Sequence, residues 1–308
     1  MAAYTREHKG CSMLEFPASY VVIDLETTGL DPRFNEIIEI AGIRYENDTE
    51  VDRFQTLVNP ETEIDEFITE LTGITNEMLA DAPTVGAVLP SFLQFVGDSI
   101  VVGHNINFDI NFLYDNAENL SLPPFGNDFV DTLRMSRRLY KDMTNHKLST
   151  LVEHLGVDGG VEHRALADCI CAQQCFCKMK QFVLDTGFSF KQSASKSFGS
   201  LAKTIIAETT DFDHDSPIFG MAFAFTGKLE RMTRKEAMQA VANAGGICCD
   251  GVTAATNYLV LGNNDYCKAL NGGKSNKQKK AEKMQLAGSD IVTISEDVFC
   301  DMLEDRRG

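Results

Sequence analysis

The chain has 308 residues, of which 44% are hydrophobic and 24% charged, and its formal net charge is −17. This length predicts two domains, and the composition is that of a soluble globular protein with a sizeable core. No apolar run approaches the roughly 18 residues that a membrane span requires. The polar first residues, Met1 to Glu15, lack the apolar core of a signal peptide. We therefore expect a cytoplasmic protein without a membrane partner.

The negative charge is concentrated in the first part of the chain. Residues 1–180 contain 13 basic and 29 acidic residues, whereas residues 181–308 contain 15 and 16. A strongly acidic protein is at first sight a poor partner for nucleic acid. The asymmetry assigns that acidity to the first of the two expected domains.

The first part of the chain alternates strand-like and helix-like patterns. Predicted strands lie at residues 20–25, 37–45, 51–58, 99–102 and 129–130. Predicted helices lie at residues 83–96, from 107 onward, at 146–155 and at 164–184. Three strands followed by strand–helix units predict an α/β fold with a mixed sheet flanked by helices.

The second part begins with a looser stretch. Residues 186–217 are rich in Ser, Lys, Thr and Asp, which predicts a linker with one short helix around residues 201–207. Predicted strands at 223–225, 258–261 and 291–294 then alternate with helices at 234–244, 277–286 and 296–303. We expect a first domain at residues 1–184, a linker at 185–216 and a second α/β domain at 217–308.

Asp24 and Glu26 lie two residues apart at the end of a predicted strand, so their side chains share one face. Two neighbouring carboxylates repel each other and raise each other's pKa unless a cation binds them. Carboxylate oxygens suit Mg²⁺ or Mn²⁺. The alternative is a half-exposed strand whose acidic residues face water, and the pair alone favours that simpler interpretation.

Two further acidic positions follow along the chain. Asp109 falls in the first turn of a helix, near strand ends where sites in such sheets lie. His163 and Asp168 are five residues apart, which is about 140° around a helix, so His163 must precede the helix that carries Asp168. A mobile imidazole near a metal-binding carboxylate suits a general base for water. The alternatives are helix-dipole compensation by Asp109 and an ordinary loop histidine.

These residues belong to three motifs: Asp-x-Glu-Thr-Thr-Gly from Asp24, His-Asn-x-x-Phe-Asp from His104, and His-Arg-Ala-Leu-Ala-Asp from His163. In this order they resemble the exonuclease motifs of the DEDDh (DnaQ-like) family, the proofreading-type enzymes similar to the epsilon subunit of bacterial DNA polymerase III. The resemblance covers residues 18–184. It implies a ribonuclease H-like fold and metal-dependent hydrolysis from 3′ ends to nucleoside 5′-monophosphates.

The resemblance also implies a role for each motif residue. Asp24, Glu26, Asp109 and Asp168 would hold two divalent cations, Mg²⁺ or Mn²⁺, at the scissile phosphate, and His163 would deprotonate the attacking water. Glu26 would lie near the terminal 3′-hydroxyl, and the region of Ile74 and Thr75 near the last base. The expected substrate contacts are Glu26, Thr27, Ile74, Thr75, His104, Asn105 and Phe108.

The second domain carries a different resemblance. The segment Phe223 to Leu229, followed by Arg-Lys-Glu-Ala at 234 and Ala-Gly-Gly at 244, is similar to the start of a BRCT domain, a small α/β module with a parallel sheet. This implies an anion site at Thr226, Gly227 and Lys280, with Lys277 as neighbour, for 5′-phosphorylated DNA ends or a partner protein. A solvated, lysine-rich helix face is the alternative. The tryptophan found late in that family is absent here, and Phe299 is expected to replace it.

Three functions remain open on these residues. A DNA exonuclease is favoured, because the attached domain type accompanies DNA transactions, and a DNA polymerase or another replication or repair protein is the expected partner. The second is an RNA-trimming exoribonuclease of the same fold. The third is a DNA-end or partner-binding protein driven by the BRCT unit, with the first domain as a scaffold. The five intact residues of the catalytic motifs disfavour the third.

Overall fold

The computed structural model describes residue 6 and residues 8–143, 145–158, 163–190, 205–209, 211–262 and 275–304. The chain forms two compact units: the first contains Arg6–Lys141 and His146–Phe188, and the second is built mainly from Ser189–Gly308. Residues 205–207 are not helical, and the rest of the short helix predicted at 201–207 lies outside the described residues.

The first unit is built on a mixed sheet, whose six described strands have the order β1-β6-β5-β2-β3-β4. The strands are β1 (Ser12–Met13), β2 (Ser19–Thr27), β3 (Ile37–Glu46), β4 (Thr49–Leu57), β5 (Val101–Gly103) and β6 (Phe129–Asp131). β3 is antiparallel to β2 and β4, whereas β5 and β6 are parallel to β2 and to each other. This confirms the mixed sheet that the order of elements predicted.

Strands β2 and β3 are nearly continuous apolar runs because helices cover both faces of the sheet. Only the first residue of β2 is exposed. β4 is the edge strand, and its five exposed leading residues include Glu50, Asp52 and Arg53. Charged side chains on an edge strand oppose pairing with a second chain. Asn47 and Asp48, at φ 49° and 62°, form the tight turn between β3 and β4, as a two-residue hairpin of this kind requires.

Seven described helices flank this sheet. They are α1 (Glu66–Thr72), α2 (Asn76–Ala80), α3 (Val85–Val96), α4 (Asn107–Asn119), α5 (Thr132–Leu139), α6 (Leu148–Leu155) and α7 (Ala165–Thr186). The four longer predictions are confirmed to within a few residues at their ends. Helices α1, α2 and α5, of seven, five and eight residues, were not predicted.

Alternate residues of β2 face opposite sides of the sheet. Ile23 belongs to the main core together with residues of α3 and α4. On the other side, the Tyr20 ring meets the Phe176 ring of α7 edge to face, with centroids 5.1 Å apart. Since side chains alternate along a strand, Asp24 and Glu26 lie on the α7 side together with Tyr20.

The segment before β2 is tied to α4. Arg6 donates through Nε and Nη2 to the two carboxylate oxygens of Asp115, both at 2.6 Å, and the pair is buried. Lys9 Nζ donates to the side-chain oxygens of Asn107 and Asn111 at 2.8 Å. β1 then extends the sheet by pairing with β6.

The second unit contains a smaller sheet. Its described strands are β7 (Ala222–Thr226), β8 (Ile247–Cys249), β9 (Tyr258–Leu261) and β10 (Val292–Ser295), all parallel, in the order β10-β9-β7-β8. The helices in the part of this unit that the structure describes are α8 (Arg234–Asn243), α9 (Asn276–Leu286) and α10 (Glu296–Glu304). Reciprocal capping boxes start α8 and α9, and such caps fix where a helix begins. The three-residue strand β8 was not predicted.

Phe299 of α10, which the sequence analysis expects in place of the absent tryptophan, lies in the core of the second unit. Its side chain is fully buried, and its ring meets those of Phe225 and Phe223 at centroid distances of 5.1 and 5.6 Å. The packing of three phenylalanines gives this small unit a core of its own.

Part of the stretch predicted as a linker is attached to α8. Gln239 Nε2 donates to the Ile206 carbonyl at 2.8 Å, and Asn243 Oδ1 accepts from the Glu208 N–H at 2.9 Å. These contacts place residues 206–208 on the second unit. In the described parts of the chain, no helix combines the length and hydrophobicity needed to cross a bilayer.

Candidate active site

Three acidic side chains from two distant parts of the chain converge at the end of β2. Asp24, Glu26 and Asp168 each offer a carboxylate oxygen, and these oxygens lie within 4.8 Å of one another. Asp24 and Glu26 come from one face of β2, and Asp168 comes from the first turn of α7. A group of oxygen ligands this compact could hold a divalent cation such as Mg²⁺ or Mn²⁺.

Asp109 joins this cluster from α4. Its Oδ1 accepts a hydrogen bond of 2.9 Å from the backbone N–H of Leu25, the residue between Asp24 and Glu26. The Asp109 side chain is buried. Burial, followed by the charges of Asp109 and Asp168, raises the pKa of Asp24 well above its usual value. The fourth predicted carboxylate is therefore electrostatically part of the same site.

The electrostatics of the cluster favour the binding of a cation. Burial, followed by the charges of Asp168 and Glu39, raises the pKa of Glu26 to about 8. Burial also raises the pKa of Asp109, although the hydrogen bond from Leu25 opposes this effect. Carboxylates that repel one another become fully ionised when a cation binds between them. The residues present therefore fit a divalent metal ion.

His163 lies two residues before α7, which begins at Ala165 after the N-cap residue Arg164. The prediction that this histidine precedes the helix is confirmed. Its backbone N–H donates to Asp168 Oδ2 at 3.1 Å, and its φ of 60° turns the chain sharply at this point. The side chain is exposed. The His163 backbone thus contacts one member of the acidic cluster, and its imidazole is accessible to solvent.

Glu39 is a buried acidic residue outside the three motifs. It lies in β3 directly across from Glu26. Its carboxylate accepts hydrogen bonds from Arg164 Nη2 at 2.9 Å, Arg164 Nε at 3.1 Å and the Ala165 N–H at 3.1 Å. Burial acts to raise the pKa of Glu39, but hydrogen bonds from Arg164, Gln55 and Ala165 together lower it. The sequence signal for Glu39 was a single acidic residue inside the apolar run Ile-Ile-Glu-Ile. A charged residue in such a run is buried, and a buried charge requires a partner.

The turn that carries the second motif is held by the start of α5. Asn105 adopts φ 62°, and its N–H donates to Asp131 Oδ1 at 2.9 Å. His104 Nδ1 lies 3.0 Å from Thr132 Oγ1. His104 and Asn105 are both half-buried. Both predicted substrate contacts are thus held in place at the strand end, with part of each side chain accessible.

The remaining predicted substrate contacts differ in accessibility. Thr27 is largely buried, and its hydroxyl donates to the Gly29 carbonyl at 2.7 Å. Ile74 is fully buried in a small apolar cluster, so any contact with a nucleotide would have to involve its backbone. Thr75, which caps α2, and Phe108 are half-buried and partly accessible.

In the second unit, Thr226 and Lys277 meet at the end of β7. Lys277 Nζ donates to the carbonyl of Phe225 at 2.8 Å. Thr226 Oγ1 lies 2.9 Å from the hydroxyl of Ser275, the residue that caps α9. A strand end, a helix start and a lysine thus lie together, which is an arrangement suited to an anion.

Gly227 and Lys280 complete the predicted anion site. Gly227 has a φ of 74°, which favours glycine, and its carbonyl accepts from Arg234 Nη2 at 2.8 Å. Lys280 is exposed. Burial, followed by the charge of Arg234, lowers the pKa of Lys277. Of the two lysines, Lys277 is the one that reaches the end of β7.

Comparison with known proteins identifies the first unit. A family model described as exonuclease matches residues 21–176, just over half of the 308-residue chain and all five predicted catalytic residues. The chain belongs to this exonuclease family. The prediction of a nuclease is confirmed at the level of the family. Residues 189–308, which make up most of the second unit, lie outside the matched region.

The chain is also similar to the PolC type of DNA polymerase III. The protein from Caldanaerobacter subterraneus subsp. tengcongensis is 42% identical over 178 residues, which are 58% of this chain and 13% of that protein. The one from Bacillus cereus is 34% identical over 197 residues, which are 64% of this chain and 13% of that protein. This chain therefore spans about an eighth of the length of these relatives.

The chain is also similar to solved structures of exonucleases. Exonuclease I of E. coli in complex with a dA16 oligonucleotide is 18% identical, with a TM-score of 0.48 over 54% of this chain and 41% of that one. Exonuclease X in complex with 5′ overhanging duplex DNA is 23% identical, with a TM-score of 0.43 over 55% of this chain and 94% of that one.

Proposed function

We propose that the first unit, with a ribonuclease H-like fold, is a 3′→5′ exonuclease of the DEDDh type that hydrolyses DNA to nucleoside 5′-monophosphates. The observation that carries the proposal is the convergence of Asp24, Glu26 and Asp168 within 4.8 Å, with Asp109 hydrogen-bonded to the strand between the first two. Oxygen ligands from three separated motifs in one place are what phosphodiester hydrolysis with divalent cations requires.

Each residue of the site has a defined task in this proposal. Asp24, Glu26, Asp109 and Asp168 would hold two divalent cations, Mg²⁺ or Mn²⁺. When bound, the cations supply positive charge that offsets the four carboxylates and stabilises the attacking and leaving oxygens. His163 accepts the proton of the attacking water from its exposed position before α7. Glu26 also orients the terminal 3′-hydroxyl.

DNA is the proposed substrate, and replication or repair the proposed setting. The relatives named DNA polymerase III PolC-type support a DNA substrate and a role beside a DNA polymerase, including proofreading. An RNA-trimming enzyme of the same fold is the second candidate, because the 2′-hydroxyl is what distinguishes RNA from DNA in such a site. The rates at which the chain degrades DNA and RNA oligonucleotides of the same sequence distinguish the two candidates.

The test is degradation of 5′-labelled oligonucleotides in Mg²⁺. The intact chain is expected to shorten the DNA stepwise from its 3′ end and to release nucleoside 5′-monophosphates. Asp24→Ala is expected to lower kcat by at least about 10³-fold, because it removes a central ligand of the cations. The matched control is Asp52→Ala, an exposed acidic residue of β4, which should retain full activity.

Two results would contradict the proposal. Nuclease activity that persists in excess chelator would exclude a role for divalent cations. Full activity in Asp24→Ala would show that the acidic cluster does not carry the reaction. Binding of DNA ends by a chain that degrades neither DNA nor RNA would favour the third candidate, a binding protein with a scaffold first domain.

For the second unit, we propose a BRCT domain that binds a phosphate group of a DNA end or of a partner protein. Four parallel strands in the order β10-β9-β7-β8 support this assignment. The position of Lys277 Nζ, 2.8 Å from the Phe225 carbonyl and next to Thr226, supports an anion site at this strand end. Gly227 and Lys280 would complete it.

A further inference from the structure

The start of α7 lies between two parts of the proposed site. His163 directly precedes Arg164, and Asp168 lies in the first turn of the helix. A hydrogen bond of 3.1 Å from the His163 N–H to Asp168 Oδ2 links the two residues across this turn. Their relative position therefore depends on how the first turn of α7 is held.

Helices usually begin with a side chain that accepts a hydrogen bond from the first free N–H groups. Within the described residues, the N-cap residue of α7, Arg164, makes no such bond with its side chain. Glu39 of β3 takes over this function from outside the helix. Its Oε2 accepts from the Ala165 N–H at 3.1 Å, the first N–H of α7.

Glu39 also holds the N-cap residue itself. Its two carboxylate oxygens accept from Nε and Nη2 of Arg164, at 3.1 and 2.9 Å. The Glu39 side chain is fully buried, whereas Arg164 remains one-third exposed. Two parallel hydrogen bonds between a guanidinium group and a carboxylate fix their relative orientation as well as their distance. β3 therefore holds the backbone on the C-terminal side of His163 in one orientation.

We propose that Glu39 is a positioning residue of the nuclease. It fixes the first turn of α7 to the central sheet and thereby sets His163 and Asp168 at their working distance from Asp24 and Glu26. The proposal rests on the function proposed above. Glu39 itself touches neither the substrate nor, in this assignment, the metal ions, and it positions the first turn of α7 through Arg164 and the Ala165 N–H.

The variant Glu39→Gln tests the proposal with almost no change in volume. Both oxygens of Glu39 accept hydrogen bonds from N–H groups. In either orientation of the amide, the NH₂ group of the glutamine would face N–H donors, so some of these hydrogen bonds cannot form. With Mg²⁺, kcat on a DNA oligonucleotide is expected to fall about 10- to 100-fold, as for other residues that orient metal ligands. KM for DNA should change by less than about twofold, because no substrate contact is removed.

A second readout does not depend on turnover. The dissociation constant for Mn²⁺, followed by the EPR signal of the unbound ion, is expected to rise by about tenfold, since Asp168 is less well placed. Arg164→Lys should give a smaller decrease in kcat, because it keeps the charge but loses the two-pronged contact. The double variant should be no more impaired than Glu39→Gln, because both substitutions disrupt the same contact between Glu39 and Arg164.

The matched control is Lys180→Met. Lys180 lies on the same helix and donates to Asp48 Oδ2 at 2.7 Å, in the turn between β3 and β4. It therefore also links α7 to this hairpin, but away from the site, and kcat should be unchanged. An equal loss of kcat in Lys180→Met and Glu39→Gln would overturn the proposal in favour of a general loosening of α7.

The outcome also separates this proposal from the proposed function. Wild-type protein and Asp168→Asn are measured in parallel. If wild type degrades DNA, Asp168→Asn does not, and Glu39→Gln matches wild type in kcat and Mn²⁺ affinity, only the positioning role of Glu39 is overturned. An inactive wild type, or an active Asp168→Asn, overturns the proposed function itself.

Discussion

At the level of single residues, the site is a set of acids kept close together against their mutual repulsion. Asp24 and Glu26 are neighbours on one strand face, and Asp168 approaches them from α7. The result is a set of raised pKa values, caused by burial first and by neighbouring charges second. A bound cation relieves this repulsion.

The repulsion predicts how stability changes with pH in the absence of metal. The pKa of Glu26 is about 8 in the folded chain, against an ordinary value of 4.5. The folded state therefore retains a proton that the unfolded state releases, and Glu26 contributes stability below pH 4.5 that is lost as pH rises through 8. This single group can lower the free energy of unfolding by at most about 1.4 kcal/mol per pH unit. In chelator, the unfolding midpoint of wild type should fall between pH 5 and 8 more steeply than that of Glu26→Gln.

Glu50→Gln, an exposed change on β4, serves as the control for this measurement and should follow wild type. Addition of Mg²⁺ or Mn²⁺ should remove most of the difference between wild type and Glu26→Gln. A wild-type midpoint that rises over this interval relative to Glu26→Gln would show that the sign of the shift is wrong.

The residues of the site were predictable to different degrees. The resemblance of three motifs, in their order along the chain, to the DEDDh family singled out Asp24, Glu26, Asp109, His163 and Asp168, whereas spacing alone left simpler interpretations open. The partner of Arg164 could not be predicted, because it lies 125 positions away in β3. The complete burial of the Ile74 side chain was equally unpredictable, because its cluster depends on the unpredicted helices α1 and α2.

At the level of elements, the site depends on β2 being central and α7 being anchored to it. The long apolar runs of β2 and β3 were recognisable because buried strands of a covered sheet carry few polar residues. Short elements such as β1, β8 and α5 could not be predicted, since tertiary contacts stabilise them. β1 is an example, because it consists of two residues paired with β6.

The buried pair of Arg6 and Asp115 predicts that the segment before β2 stabilises the first unit. Arg6→Met removes the partner of a buried carboxylate, which is expected to lower the free energy of unfolding by about 3–5 kcal/mol. Urea denaturation at pH 7 measures this change. Arg53→Met breaks an exposed pair with Glu50 and should lower the free energy of unfolding far less, because water screens exposed pairs. Equal, small effects of both changes would show that the segment is not needed for stability.

At the level of the whole molecule, two units of different charge occupy one chain. The acidic first unit carries the proposed chemistry, and the second unit, with nearly balanced charge, offers a lysine at a strand end. The order of motifs and the change in composition predict two domains, at residues 1–184 and 217–308. The attachment of residues 206–208 to α8 could not be predicted, because single side-chain contacts from Gln239 and Asn243 create it.

If the second unit binds phosphate, Lys277→Glu combined with Lys280→Glu should weaken binding to a 5′-phosphorylated DNA duplex. The slope of log K against log salt should become shallower by about one for each phosphate that the variant no longer neutralises. The control is Lys235→Glu with Lys283→Glu, two exposed lysines of the same unit with the same change in charge. Equal effects of the two pairs, or none, would assign the second unit to binding through another surface.

The most direct test of the central claim is a crystal structure with Mn²⁺ and its anomalous difference map. We expect anomalous peaks within coordination distance of Asp24, Glu26 and Asp168, with Asp109 completing the site, and the disappearance of these peaks in Asp24→Ala. An acidic cluster without any peak at saturating Mn²⁺, or peaks only elsewhere on the chain, would contradict the claim.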